Sequence, residues 1–198
     1  MQYSFLDTEP ANPVTLPLVR QWLKREPNYT AEDAVFEVLA AKALAVAEKH
    51  TGLLFTRRQV QAIFYSRPNG IRLKYGPDIE MVSLVRLGVN GIPDTPLTEG
   101  IDYNSIGGVF DVGSIHVNRY WRLSLGRMEW QYKAVYNAGF VEAPADIIEA
   151  MLQIVAFSYA NPGDKATAGP SRQTEGKLTM PPAAREVLDS YSIKTVAL

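Results

Sequence analysis

Residues 136–163 read YNAGFVEAPADIIEAMLQIVAFSYANPG, and the fold turns on what encloses the second half of this stretch. An alternating, strand-like segment ends in Asn137-Ala138-Gly139 and turns through Pro144. It then enters a helix with Asp146 and Glu149 near its positive end, where carboxylates are favoured. Ile147, Met151 and Ile154 make one apolar row along this helix, and Ile148, Leu152, Val155 and Tyr159 an adjacent one. Glu149 and Gln153 leave only a narrow polar stripe, so the helix needs cover on most sides. A bilayer does not supply it: a span needs about 20 apolar residues, and 144–159 offers roughly 16 with two polar interruptions. The cover must be protein.

A long helix before the stretch and a last helix after it can supply some of that cover, and a neighbouring subunit is expected to supply the remainder. Thr15 is placed to cap LPLVRQWLKRE, with Pro17 in its first turn and Leu18, Trp22 and Leu23 expected inward. Thr30 and Asp33 resemble a capping box, and AEDAVFEVLAAKALAVAEKHTG then reads as one long helix stopped by Gly52. Its apolar stripe is expected at Val35, Val38, Leu39 and Val46, with Ala41, Ala45 and Ala47 allowing close approach of a neighbour. After Asn161-Pro162-Gly163 the chain is small and polar without periodicity, which predicts a loop over 162–181. A last helix runs from Pro182 to about Tyr191, followed by a tail at 192–198.

Between the two helical halves the texture is different. TRRQVQAIFYS, GIRLKYG, MVSLVRLGVN, IDYNSIGGVFDV, GSIHVNRYW and MEWQYKAVYNAGF are short alternating or β-branched runs punctuated by Gly, Pro, Asn and Asp. They predict antiparallel strands over 55–140. The expected fold class is α+β: a small helical bundle, two N-terminal and two C-terminal helices, with an antiparallel β section inserted between them. In this reading the chain is a single domain, its helical part 14–54 plus 144–192.

The chemistry the chain can carry is narrow. It has no cysteine and only His50 and His116, which excludes thiol nucleophiles, cysteine-bound zinc and a multi-histidine metal site within one chain. Twenty basic against 21 acidic residues leave a net charge of −1, without the basic excess that phosphate binding favours. The first residues lack a basic region followed by an apolar core, so no secretion signal is expected. No phosphate-loop, dinucleotide, nucleophile-elbow or zinc-protease motif occurs. Gly107-Gly108 reads as a turn between strands. His116 lies near Glu99, Asp102 and Asp111, a pairing that could move protons, but an ordinary strand histidine explains it as well. His50, in the last turn of the long helix, suits the helix dipole. Phe64, Tyr65, Tyr75, Tyr103, Phe110, Tyr120, Trp121, Trp130, Tyr132 and Tyr136 interleave with seven arginines, Arg57, Arg58, Arg67, Arg72, Arg119, Arg122 and Arg127. That pattern fits a stacking surface for sugars or single-stranded nucleic acid, or a sheet core with aromatic cross-strand pairs. No catalytic, metal or cofactor residue is expected.

Taken in order, these elements resemble the head–tail connector family of tailed phages and gene transfer agents, the adaptor or head-completion proteins. The resemblance rests on VTL at 14–16 with its short helix, on AEKHTGLLFTRRQVQ, on AVYNAGFVEAPADIIEAMLQIVAFSYANP and on PPAAREVLDSYSI. The length of the β section is similar to the insertion-bearing branch. It implies a non-enzymatic structural protein of the virion neck, made in the bacterial host cytoplasm. It further implies a homo-oligomeric ring, expected to be dodecameric, that docks on the portal and meets a downstream neck or tail-completion protein. DNA would cross the channel without sequence-specific binding, no membrane being involved. On this reading Tyr191, Ile193, Lys194, Val196 and Leu198 form a portal-docking arm, with a frayed terminus as the plain alternative. Ile148, Leu152, Val155, Tyr159, Arg172, Lys177, Leu178 and Met180 are the expected subunit interface. The alternative function is a carbohydrate- or nucleic-acid-binding module using the aromatic β section.

Overall fold

The computed structural model describes residues 2–7, 11–65, 71–88, 92–108, 111–117, 131–162 and 180–192. By internal contacts the chain divides into two units, one of residues 1–10 with 56–141 and one of 11–55 with 142–198.

The first unit is antiparallel β. Its strands are β1 (Gln2–Phe5), β2 (Arg58–Tyr65), β3 (Ile71–Arg72), β4 (Glu80–Arg86), β5 (Thr95–Leu97), β6 (Tyr103–Gly108), β7 (Asp111–Val117) and β8 (Gln131–Ala138). They form a five-stranded sheet ordered β1-β2-β8-β4-β5 and a three-stranded sheet ordered β3-β7-β6. β8 lies centrally because its QYKAVYNA alternates without a break, and every second side chain is buried. Register pairs Ala62 with Ala134 in a row of small residues, flanked by Val60↔Tyr136 and Phe64↔Tyr132. β6 and β7 pair as far as Gly108↔Asp111, so Gly107 and Gly108 lie in strand β6 and not in a turn.

Two strands escaped the sequence reading. β1 lies in what reads as a polar leader, yet Tyr3 and Phe5 face Ala62 and Val60 across the ladder. β5 is three residues containing Pro96, tolerable only because it is an edge strand.

The second unit is helical: α1 (Leu16–Trp22), α2 (Asp33–Thr51), α3 (Ala145–Ala160) and α4 (Pro182–Tyr191). α2 stops where expected, with Gly52 left-handed at φ 75° and its N–H bonded to the Glu48 carbonyl. α3 ends at Asn161, whose backbone N–H and side-chain amide both donate to the Phe157 carbonyl. Ile147, Met151, Leu152, Ile154 and Val155 of α3 are each buried, worth roughly 1.5–3 kcal/mol apiece relative to exposure.

The helix faces differ from expectation. In α1 the buried residue is Val19; Trp22 is exposed and Leu18 and Leu23 are half-buried. Thr15 stands at the N-cap position without a side-chain cap bond. Asp33 closes no capping box, because Arg20 holds its carboxylate at both oxygens, 3.0 and 2.5 Å away. In α2 the inward seam is Phe36, Ala40, Ala43, Ala47 and Thr51, while Val35 and Val38 are exposed. The small seam is what the packing needs, since α3 brings bulky side chains to a helix it approaches closely.

Candidate functional site

Two of the groups nominated for acid–base work, Glu99 and Asp102, are occupied by local structure. Asp102 accepts the backbone N–H of Thr98 at 2.8 Å, and Glu99 accepts from the Ser105 hydroxyl. Both carboxylates therefore brace the turn that leads into β6. His116 sits in β7 opposite Asn104, but its side chain and that of Asp111 lie outside the described set. Burial raises the Tyr103 phenol above its ordinary value, with the Glu99 charge adding to the effect, so Tyr103 is a poor proton donor near neutrality. Among the described residues, no group of three or more His, Asp or Glu is placed to hold a metal. No helix among them is long and apolar enough to cross a membrane.

Most described aromatics of the sheet unit are spent on packing, although Tyr65 is 54% exposed. Phe64 and Tyr132 stack at 6.0 Å inside the sheet. Tyr136 is fully buried and donates its hydroxyl proton to the Lys74 carbonyl, with burial pushing its pKa strongly upward. Tyr3, Phe5 and Tyr75 form a cluster with ring centroids 5.3–5.8 Å apart. Its faces are taken by the protein's own cations: the Arg58 guanidinium lies 3.6 Å over Phe5 and the Lys74 ammonium 4.7 Å over Tyr75. A base or sugar stacking there would have to displace them. Phe110, Tyr120, Trp121, Trp130, Arg67, Arg119, Arg122 and Arg127 lie outside the described residues.

In the helical unit, polar contacts fix the helix ends. Arg25 bonds the Tyr159 hydroxyl, which donates in turn to Glu32, while the Arg25 guanidinium faces both the Tyr29 and Tyr159 rings. α4 is clasped on two sides. His50 meets Asp189 at 2.6 Å and the Tyr191 hydroxyl donates to Asp146 at 2.8 Å. Burial, then the Asp146 carboxylate, raises the Tyr191 phenol. His50 thus belongs to a contact between α2 and α4, which spacing alone does not reveal.

The residues expected to meet other chains are distributed unevenly. Leu152, Val155 and Met180 are enclosed by this chain's own packing at 3%, 0% and 4% exposure. Burial of that degree removes them from any contact surface of the folded chain. Ile148, Tyr159 and Tyr191 are half-buried and still accessible. Arg172, Lys177, Leu178, Ile193, Lys194, Val196 and Leu198 lie outside the described residues. What the sequence reading missed is the outward side of α2, where Val35 is 50% and Val38 66% exposed. Beside it Val35, Leu39, Lys42, Tyr159, Asn161 and Pro162 line an open groove of about 730 Å³. Its lining mixes these apolar side chains with the polar groups of Lys42, Ser158, Tyr159 and Asn161.

An α2–α3 helical pair braced by α1 and α4, with an antiparallel sheet inserted in sequence between α2 and α3, defines the class of fold. Among solved structures it is the fold of gene transfer agent neck chains. One, from the neck of an empty particle resolved with C6 symmetry, superposes with a TM-score of 0.70 at 16% identity. A second, from the virion of a native particle, gives 0.68 at 17%. A third, from a native neck resolved with C12 symmetry, gives 0.65 at 16%. In each case the match covers 100% of this chain and 98% of the other. No family model matches the sequence, and no curated protein does either.

Proposed function

We propose that this chain is a non-enzymatic structural adaptor of a particle neck, a subunit of a ring that docks on a portal and links a DNA-filled head to a tail. The observation that carries this reading is the end-to-end match to neck chains, which leaves 2% of their length unmatched. The arrangement of side chains supports it: Glu32, His50, Glu99, Asp102, Asp146 and Asp189 brace turns and helix ends, while apolar surface is left outward on α2. Twelve copies is the stoichiometry proposed, in keeping with the C12 symmetry of one neck that holds a chain of this fold. DNA passes the channel without sequence-specific contacts, in line with the net charge of −1. The protein acts in the virion after synthesis in the host cytoplasm.

The portal-docking arm is the segment beyond α4. Asp189 and Tyr191 are held by His50 and Asp146, so the chain would leave the helical unit from a fixed point. Light scattering and electron microscopy of the protein, alone and mixed with its portal, test the reading. The expected result is a closed ring seated on the portal, lost on deleting 193–198 while the circular dichroism spectrum is kept. A protein that stays monomeric and never binds the portal refutes the adaptor function.

A further inference from the structure

α2 carries two apolar seams. The inner one is Phe36, Ala40, Ala43 and Ala47. The outer one is the same pattern two residues earlier, Ala34, Val38, Ala41 and Ala45, and all four are exposed. Two residues are a rotation of about 200° on a helix of 3.6 residues per turn, so the second seam points away from the core. Its 4-3-4 spacing is that of a helix–helix contact, and a solvent-facing stripe is ordinarily polar. Its border carries Glu37 and Glu48 along one edge and Lys42 and Lys49 along the other, both lysines exposed and neither ion-paired with a described residue.

One other helix face complements it. The outward stripe of α3 is Ala145, Glu149, Gln153, Ala156 and Ala160, and among the described residues Glu149 is bonded only to Gln153, one turn on. It carries one carboxylate, Glu149, where the α2 seam of three alanines and Val38 has two lysines along one edge. We infer that the outer seam of α2 docks antiparallel on the α3 stripe of a second copy of this chain, as the repeating contact of the ring. This rests on the adaptor reading above. Antiparallel register sets Val38 over Ala160, Lys42 at Ala156, Ala45 at Gln153 and Lys49 beside Glu149. Lys49 lies in the last turn of α2, where a cation suits the helix dipole, and Glu149 in the second turn of α3. The parallel alternative sets Lys49 against Ala160 and leaves both charges without partners. Because the two surfaces differ, the contact is head-to-tail and propagates around a closed ring.

The absence of cysteine makes the test direct. Ala45→Cys with Gln153→Cys in one chain, oxidised after ring assembly, is expected to give a covalent ladder that climbs to ring size. A stop at dimers overturns the head-to-tail contact, and monomer alone overturns the contact itself. In parallel, Lys49→Glu and Glu149→Lys should each raise the concentration for half-assembly roughly threefold to tenfold, and the double exchange should restore it. Val38→Asp, at an exposed position that leaves the core intact, should prevent assembly. Rings that form equally well in all of these variants refute the docking surface and leave the adaptor reading standing. Wild-type protein that forms no ring with or without the portal refutes both.

Discussion

The orientation of α2 can be tested by overfilling its inner seam. Ala43 is fully buried between helices, so Ala43→Leu inserts three further carbons where no space is available. Helix propensity hardly changes between Ala and Leu, which leaves steric strain as the effect. Overpacking of this kind costs about 1–3 kcal/mol. For a chain of this length each kcal/mol moves the midpoint by roughly 2–4 °C. A cost of about 2 kcal/mol therefore lowers Tm by roughly 4–8 °C. Val38→Lys is the matched control: Val38 is 66% exposed, and substitution there should stay within about 0.5 kcal/mol. Thermal and urea unfolding followed at 222 nm, at protein concentrations below assembly, reads both variants. If Val38→Lys is the damaging change and Ala43→Leu is tolerated, α2 presents the opposite face to the core and the outer-seam argument fails with it.

Ile154→Ala removes a fully buried side chain from the centre of α3 and should cost about 2–5 kcal/mol, read as a lower urea midpoint. Tyr136 has a folded-state pKa raised above its ordinary value of 10.0 by burial. The stability it contributes is complete below that pH and falls as pH rises above it, by about 1.4 kcal/mol per pH unit. Tyr136→Phe should flatten this alkaline decline, while losing about 1 kcal/mol near neutrality because the Lys74 carbonyl loses its donor. Equal alkaline slopes for the two proteins would contradict the assignment. Asp189→Asn breaks the half-exposed pair with His50, and at most about 1 kcal/mol should be lost, less in high salt. A salt-independent loss would mean that Asp189 acts through packing instead of charge.

The long, strongly periodic elements were legible in the sequence. Gly52 ends α2 and Asn161 ends α3 because terminal carbonyls need specific partners, and those requirements are local. β8 was legible because it alternates without a break. The misreadings share one cause. Val35 and Val38 were placed inward on hydrophobicity, whereas Phe36 and three alanines fill the seam because partner spacing decides residue size. The same holds for Val19 against Trp22 in α1. Asp33 reads as half a capping box until Arg20, 13 residues away, takes its carboxylate. β1 was hidden because its four residues gain their meaning from β2, more than 50 residues later.

The apolarity of α3 has an answer that shifts the argument about assembly. Its buried row Ile147, Ala150, Met151, Ile154 and Ser158 is covered within the chain, and so are Leu152 and Val155. The helix that first demands an intermolecular partner therefore needs little from one. The surplus lies on α2, where Ala34, Val38, Ala41 and Ala45 form a second, exposed seam. A helix that serves two partners must be amphipathic twice, and two opposed stripes cancel in any measure that looks for one. Weak net amphipathicity in a helix with one fully buried face is thus what two opposed apolar stripes produce, and α2 shows it among the described helices.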